Sequence, residues 1–268
     1  MTNAPLVTII VITYLEKSKK YLDLCMRSIE NLNFDEDKLE VLIISHASYQ
    51  PQYPNAKTIY PHLDQFYPAE GINYAMRCAH HDSKYFLILN DDVILTKNSL
   101  QRLVGMVGDN DVIANAISPC DNHFNYQLIF GFYKDDIFHQ MKESAYLYEE
   151  LIPFANELMN SDSPYPGGVV KQPYLCIYAT LIPRKCHERI GDWDEKFKTG
   201  QDDLDYSLRA HKQNIQTVSV LDALIWHFGG VTVESTLNHY LRQENVRYFK
   251  QKWGFMPPGI PESFLGEK

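Results

Sequence analysis

The hydrophobic pattern of the chain predicts buried strands that alternate with amphipathic helices. Continuous apolar runs rich in β-branched residues predict strands at 6–13, 40–44 and 85–89 that are covered on both faces. The other elements predicted in this half are helices at 19–32, 71–80 and 99–107 and a strand at 112–117. This α/β order implies right-handed crossovers and a mostly parallel central sheet with helices on both faces.

Regularity falls between residues 120 and 172, a stretch rich in Tyr, Phe, Asn and Asp with helical pieces predicted around 135–159. A segment of this length next to a binding edge suits a lid or an acceptor platform, and a structural excursion packed on the sheet suits it equally well. Regular patterning then returns, with strands predicted at 174–182, 217–220 and 223–226, helices at 183–190, 202–212 and 234–251, and a turn at 191–197.

The sequence contains no internal repeat, low-complexity tract or linker, which predicts one domain over 1–268. Within it we expect a nucleotide-binding half at 1–119, the irregular region at 120–172, and an acceptor and catalytic half at 173–268.

Composition narrows the classes of protein that fit. Of the 268 residues, 45% are hydrophobic and 22% charged, which is an ordinary globular balance. The net charge of −9 disfavours nucleic acid as a partner, because phosphate backbones bind clustered Lys and Arg. The 5 cysteines are odd in number and include no close pair, so we expect reduced thiols and a cytoplasmic protein. No signal peptide and no membrane-spanning segment is predicted.

Polar residues follow three of the predicted strands at their carboxyl ends. Thr13 and Tyr14 end the first strand, Ser45 follows the second, and 90–92 (Asn-Asp-Asp) end the third. Ligands of open parallel sheets bind beyond the carboxyl ends of the strands, so these residues are expected to share one binding edge.

Adjacent Asp91 and Asp92 can bind a hard divalent cation that bridges to a phosphate. A turn with a helix cap explains two such residues equally well.

A second acidic cluster opens the predicted helix at 202–212. Asp202, Asp203 and Asp205 crowd its first turn, where acids also compensate the helix dipole. Asp205 and Arg209 are four residues apart and can pair, which leaves Asp202 and Asp203 available to act as a general base. His227 ends a later strand before two glycines, and alone it is more often structural than a ligand.

The order of these motifs resembles the family 2 glycosyltransferases of the GT-A fold, the fold of nucleotide-diphospho-sugar transferases. These are inverting enzymes that use nucleotide-activated sugars. The similar segments, which span nearly the whole chain, are VTIIVITY, GINYAMRCA, FLILNDDV, YATLIPRKCHERIGDWDEKF, QDDLDYSLRA, WHFGG and RQENVRYFKQKWG.

The resemblance implies a role for each candidate residue. Asp92 and His227 would bind Mn²⁺ or Mg²⁺ on the donor diphosphate, and Asp203 would be the catalytic base, with Asp202 as its neighbour in the pair. The residues expected to line the nucleotide-sugar pocket are Thr13, Tyr14, Ser45, Arg77, Asn90 and Asp91. The implied partners are a nucleotide-diphosphate sugar and a hydroxyl acceptor, such as a glycan or a lipid-linked saccharide met by peripheral membrane contact.

The chain departs from the family pattern at four positions. Ser45 stands where an Asp often contacts the base, which puts a UDP donor in doubt, and Arg77 stands in place of a common Asn. Arg77 could face the diphosphate or only solvate its helix. Leu15 replaces an Asn, and Asp202 replaces a Glu, which leaves open which carboxylate of the pair is the base.

Two other classes fit parts of the pattern. One is a nucleotide-sugar-binding module without transferase activity, favoured by Ser45 and Leu15 and disfavoured by the presence of Asp92, Asp203 and His227 together. The other is a metal-dependent nucleotidyltransferase or phosphohydrolase, which would need a phosphate-binding glycine loop or a nucleophile motif that the sequence lacks.

Overall fold

The computed structural model describes residues 6–14, 18–45, 49–61, 67–118, 148–163, 167–229, 235–261 and 265. Nine strands form its sheet. They are β1 (Val7–Ile12), β2 (Leu39–Ile44), β3 (Lys57–Ile59), β4 (Tyr85–Asn90), β5 (Val93–Leu95), β6 (Val112–Ile117), β7 (Val169–Lys171), β8 (Ala179–Pro183) and β9 (Gln216–His227). The helices are α1 (Lys19–Glu30), α2 (Pro68–Cys78), α3 (Ser99–Val107), α4 (Tyr148–Asn160), α5 (Arg184–Ile190), α6 (Asp202–Lys212) and α7 (Ser235–Trp253).

The sheet is mixed but mostly parallel. Its strand order is β3-β2-β1-β4-β8-β6-β9-β5, and β7 also pairs with β9. Parallel pairing joins β1 to β2 and β4, β2 to β3, and β6 to β9. Strand β8 runs antiparallel to β4 and β6, and β5 and β7 run antiparallel to β9. Six strands therefore run one way and β5, β7 and β8 the other, as the α/β pattern predicts.

Helices cover both faces of the sheet, because the central strands are apolar on both sides. Alternate residues of β1 enter two separate clusters: Val7, Ile9 and Val11 pack in a cluster that includes α1 and α3 residues. Ile10 and Ile12 pack in the other, with residues of α2, α5 and α6. The whole of β1 is buried, which explains its unbroken apolar sequence.

The boundaries differ from the sequence prediction where the chain is irregular. The strand predicted at 174–182 is wrong at its start, because β8 begins only at Ala179. The two strands predicted at 217–220 and 223–226 are one, β9. Val220 pairs with Ala116 and Leu224 with Ile117, so residues 221–223 form a bulge. Strands β3, β5 and β7 have three residues each and were not predicted.

Part of the irregular region lies outside the described residues, including the start of the helical pieces predicted around 135–159. Its described part contains α4, which packs near β5 in a cluster with Trp226 and Phe228. No helix among the described residues combines the length and the apolar character needed to cross a membrane.

Candidate active site

The carboxylate of Asp92 and the imidazole of His227 meet at the carboxyl end of β4. Residues 93–95 form β5 immediately after the acidic pair, and β5 pairs antiparallel with the end of β9. This ladder aligns Val93 with His227, and the Phe228 N–H donates to the Asp92 carbonyl at 3.0 Å. His227 Nε2 consequently lies 3.3 Å from Asp92 Oδ1.

Two neighbours contact the His227 ring and a third holds the backbone of this residue. The Tyr178 ring stacks on it with 4.9 Å between ring centroids, and the Tyr178 hydroxyl donates to the Ala116 carbonyl. Asn90 Nδ2 lies 3.4 Å from His227 Nε2, and the His227 N–H donates to Ser118 Oγ. Asn90 thus reaches the site through its contact with the imidazole.

Asp91 has a different environment from Asp92, although both side chains are buried. Thr13 Oγ1 and Ser18 Oγ donate to Asp91 Oδ2 at 2.7 and 2.8 Å, so Asp91 ties the end of β1 to the start of α1. Burial, and then the charge of Asp92, raises the pKa of Asp91 to about 7. This carboxyl organises the edge on which the expected nucleotide-pocket residue Thr13 lies.

Tyr14 connects the two acidic clusters. Burial raises its pKa well above the ordinary value, and the charges of Asp202, Asp91 and Glu70 raise it further. Its hydroxyl therefore lies within electrostatic range of carboxylates from the 90–92 motif, from α2 and from α6. Asp202 and Asp91 thus both contribute to the raised pKa of this one hydroxyl.

The two carboxylates at the start of α6 have different neighbours. Burial, and then the charge of Asp203, raises the pKa of Asp202 to about 7. The Asp203 carboxylate accepts the Leu204 N–H at 2.7 Å, and its charge contributes to the raised pKa of Tyr174, of which burial is the largest cause. The charge of Asp202 thus contributes to the raised pKa of Tyr14, and the charge of Asp203 contributes to the raised pKa of Tyr174.

Asp205 is held inside the protein, which leaves Asp202 and Asp203 as the pair at the helix start. Its side chain is fully buried and pairs with Arg209 Nε at 2.9 Å, as its spacing predicts. Asp205 Oδ1 also accepts a hydrogen bond from Trp253 Nε1 at 2.9 Å and lies 2.7 Å from Lys252 Nζ. Both of these residues belong to α7. The C-terminal helix is thereby fastened to the first turns of α6.

Two expected pocket residues make other contacts. Ser45 is buried, and its hydroxyl donates to the Tyr49 carbonyl at 2.7 Å. Arg77 Nη1 lies 3.2 Å from Asp192 Oδ2, and both side chains of this pair are 57% exposed. Arg77 therefore lies at the surface between α2 and the 191–197 turn, where it pairs with Asp192.

Two buried asparagines support the site and were missed by sequence reasoning. Asn73 of α2 donates to the Trp193 carbonyl and to Glu195, and accepts the Trp193 N–H. Asn245 of α7 binds the backbone of residues 198–200 in the same way. Each lies three or four residues from buried apolar side chains of its own helix. An amide on the apolar face of a helix was therefore the sequence signal that could have predicted a buried, hydrogen-bonded asparagine.

Asp92 and His227 suit a divalent cation. Metal bonds of about 2.1 Å at right angles place two ligand atoms roughly 3 Å apart, near the distance found here. Two protein ligands are enough for a cation that completes its shell with water and substrate phosphates. An imidazole beside a carboxylate favours Mn²⁺ over Mg²⁺. Among the described residues, a group of three ligand-type side chains also occurs at His80, His81 and Asp82, before β4 at the opposite end of the sheet, where His80 is half-buried and the other two are exposed.

Comparison with known proteins supports the interpretation of the fold and the motifs. Residues 8–155 match the sequence model described as Glycosyl transferase family 2. No curated protein sequence matches the chain at a significant level.

Solved structures with the same fold are enzymes of low sequence identity. The mannosyltransferase PcManGT from Pyrobaculum calidifontis, in complex with GDP-Man and Mn²⁺, is 17% identical with a TM-score of 0.59, over 95% of this chain and 66% of its own. TarS from S. aureus (residues 1–349) is 14% identical with a TM-score of 0.57, and the match covers 98% of this chain and 75% of TarS. A structure of TarS in complex with UDP-GlcNAc matches as well. GalNAc-T7 with UDP, GalNAc and Mn²⁺ is 9% identical with a TM-score of 0.57, and the match covers 83% of this chain and 44% of GalNAc-T7. This chain thus spans just under two thirds of the length of PcManGT.

Proposed function

The chain belongs to glycosyl transferase family 2 and is a glycosyltransferase of the GT-A fold, and we propose that it is a metal-dependent inverting enzyme. It would move a sugar from a nucleoside diphosphate to an acceptor hydroxyl, such as one of a glycan or a lipid-linked saccharide. The observation that carries the proposal is the meeting of Asp92 and His227 at the carboxyl end of β4, where their ligand atoms lie 3.3 Å apart.

In this proposal Asp92 and His227 hold Mn²⁺ on the donor diphosphate. The bound cation supplies Lewis-acid stabilisation of the negative charge on the departing diphosphate. Thr13 and Tyr14 border the nucleotide pocket, and Asp91 orders that border through Thr13 and Ser18. Residues 1–119 form the donor half, and 173–268 contribute the acceptor side. Structures of PcManGT and GalNAc-T7 that contain Mn²⁺ support the choice of metal.

Asp203 is the proposed base. It takes the proton of the acceptor hydroxyl as that oxygen attacks the anomeric carbon from the face opposite the leaving group, which inverts the anomeric centre. The resemblance supports this assignment, because Asp203 stands at the second carboxylate of the Glu-Asp pair, and the charge of Asp203 also contributes, after burial and Cys176, to the raised pKa of Tyr174. Asp202 with its raised pKa is then available to hydrogen-bond the donor in either protonation state.

One experiment tests the reaction and the base together. GDP-, UDP- and dTDP-hexoses are screened with Mn²⁺ by thermal shift, since a ligand that binds the folded state raises Tm. The best donor is then assayed for transfer with wild type, Asp203→Asn and the exposed control Asp37→Asn. We expect Asp203→Asn to keep the Mn²⁺-dependent shift and to lose transfer, and Asp37→Asn to behave as wild type.

Other outcomes would change the proposal. Full transfer by Asp203→Asn would move the base to another residue, with Asp202→Asn as the next variant. A wild-type protein that is stabilised by nucleotide sugars but transfers none to glycan or lipid-linked acceptors would be a binding module. A product with the anomeric configuration of the donor, seen by NMR, would contradict inversion.

A further inference from the structure

Gln201 has an uncommon backbone conformation for its residue type. It immediately precedes α6, with φ 65° and ψ −9°, in the left-handed region. Among the described residues other than glycine, positive φ occurs only at Gln201 and Asn214. Asn214 lies just beyond the end of α6, where asparagine is a common left-handed residue, but glutamine has no such preference. The conformation costs Gln201 about 1 kcal/mol or more.

Hydrogen bonds from α7 hold the chain that leads into this residue. Asn245 is only 2% exposed, and its Oδ1 accepts the Lys198 N–H at 3.1 Å. Its Nδ2 donates to the carbonyls of Thr199 and Gly200 at 2.6 and 2.9 Å. Gly200 is also left-handed, with φ 76°. The strain at Gln201 thus persists because a buried amide fixes the three residues before it.

The side chain of Gln201 carries a second cost. Its carboxamide oxygen, Oε1, is buried, and no described residue donates a hydrogen bond to it. A buried acceptor without a donor costs roughly 1–3 kcal/mol. Backbone strain and an unpaired buried acceptor therefore coincide at the residue next to Asp202. Such combinations concentrate at sites where a ligand completes the hydrogen bonding.

We propose that Gln201 Oε1 accepts a hydrogen bond from a hydroxyl of the donor sugar, and that Gln201 helps to select this sugar. The inference rests on the proposed function, because it assumes a nucleotide-sugar donor at this edge. The donor is favoured over the acceptor because Gln201 adjoins Asp202, and the charge of Asp202 adds to the effect of burial in raising the pKa of Tyr14, an expected nucleotide-pocket residue at the end of β1. A sugar hydroxyl supplies the donor that a buried amide oxygen lacks.

The test compares affinity for a nucleotide sugar with affinity for its parent nucleoside diphosphate. GDP-, UDP- and dTDP-hexoses are titrated with Mn²⁺ by calorimetry, each beside GDP, UDP or dTDP. Gln201→Met keeps the length of the side chain and removes the amide, whereas Gln201→Gly removes the side chain and adopts the left-handed backbone without strain. Asn214→Gly is the matched control, since it makes the same backbone change away from the site.

We expect both Gln201 variants to bind the nucleotide sugar about 10-fold more weakly, which corresponds to one lost hydrogen bond. Affinity for the nucleoside diphosphate should be unchanged, and Asn214→Gly should match wild type for both ligands. Two variants are used so that one poorly folded protein does not decide the result.

Three results would overturn the proposal. Equal losses for the nucleotide sugar and the nucleoside diphosphate would mean that Gln201 acts on the nucleotide or only on the fold. Unchanged affinities would mean that Gln201 contacts no sugar of the donor. If only the acceptor KM rises, as measured in the transfer assay, Gln201 would lie on the acceptor side. In all three, wild type still binds nucleotide sugars, whereas a wild type that binds none of the panel would overturn the proposed function as well.

Discussion

His227 Nε2 lies 3.3 Å from Asp92 Oδ1, although the two residues come from distant parts of the sequence. The antiparallel ladder between β5 and β9 creates this proximity by aligning Val93 with His227. Two ligand atoms so spaced can bind one cation without rearrangement of the backbone.

Asp92→Asn should remove the response of the protein to Mn²⁺. The amide retains the size of the side chain but offers a hard cation no charge. We expect the Mn²⁺-dependent rise in Tm with nucleoside diphosphate to disappear. Transfer should fall by more than the roughly 10- to 100-fold cost of an outer-shell mutation. Asp82→Asn, in the exposed cluster at the other end of the sheet, is the control and should keep both properties. Retention of the Mn²⁺ response by Asp92→Asn would refute the assignment of this ligand.

Asp202→Asn should stabilise the protein at alkaline pH. The pKa of Asp202 is about 7 in the folded protein and about 4 in an unfolded chain. The folded state thus holds a proton that the unfolded state has lost, and wild-type stability falls as pH rises from about 4 through 7. Asparagine removes this loss, so the gain from Asp202→Asn should be roughly 2–3 kcal/mol larger at pH 8 than at pH 5. Urea unfolding at both pH values measures it, and equal gains would contradict the raised pKa.

Asp205→Asn should destabilise the fold strongly. The change removes the charge of a fully buried carboxylate that pairs with Arg209 and Lys252, and Lys252 keeps its pair with Asp194. Loss of one partner of a buried ion pair costs about 3–5 kcal/mol. Glu244→Gln, in an exposed pair with Arg247 on the same helix as Lys252, should change the free energy of unfolding by less than about 1 kcal/mol. Urea denaturation of the two variants provides the comparison, and similar values would show that the buried network contributes little.

Arg77→Gln should leave donor affinity unchanged. Arg77 pairs with Asp192 at the surface, where both side chains are largely exposed. The same calorimetric titration with nucleotide sugar and Mn²⁺ measures the effect, with Asp192→Asn as the matched variant that removes the other partner. A weakening of 10-fold in Arg77→Gln alone would mean that the guanidinium reaches the diphosphate when the donor binds.

Elements with a strong periodic signal could be predicted from the sequence. Helix α3, strand β6 and helix α6 begin and end where the pattern predicts, because each has a clear apolar face or an unbroken buried run. Strands β3, β5 and β7 have three residues each, too few for any periodicity, and they form because a neighbouring strand offers pairing. The acidic motifs were likewise visible, since charge at the end of an apolar run is easily recognised.

Contacts between distant segments could not be predicted. The distance from Asp92 to His227 depends on the register of β5 with β9, which no local pattern specifies. The pairing of Arg77 with Asp192 depends on where the 191–197 turn packs against α2. The hydrogen bonds of Asn245 to the chain before Gln201 depend on the docking of α7.

The bulge in β9 makes the length of one short segment decisive for the metal ligands. Residues 221–223 are unpaired with β6, and an odd number of extra residues reverses which face of the sheet the following side chains occupy. His227 lies beyond this reversal. Loss or gain of a single residue within 221–223 would turn the imidazole to the opposite face while every acidic motif stayed in place. The length of this segment, as much as the acidic motifs themselves, therefore decides whether the histidine meets the aspartate.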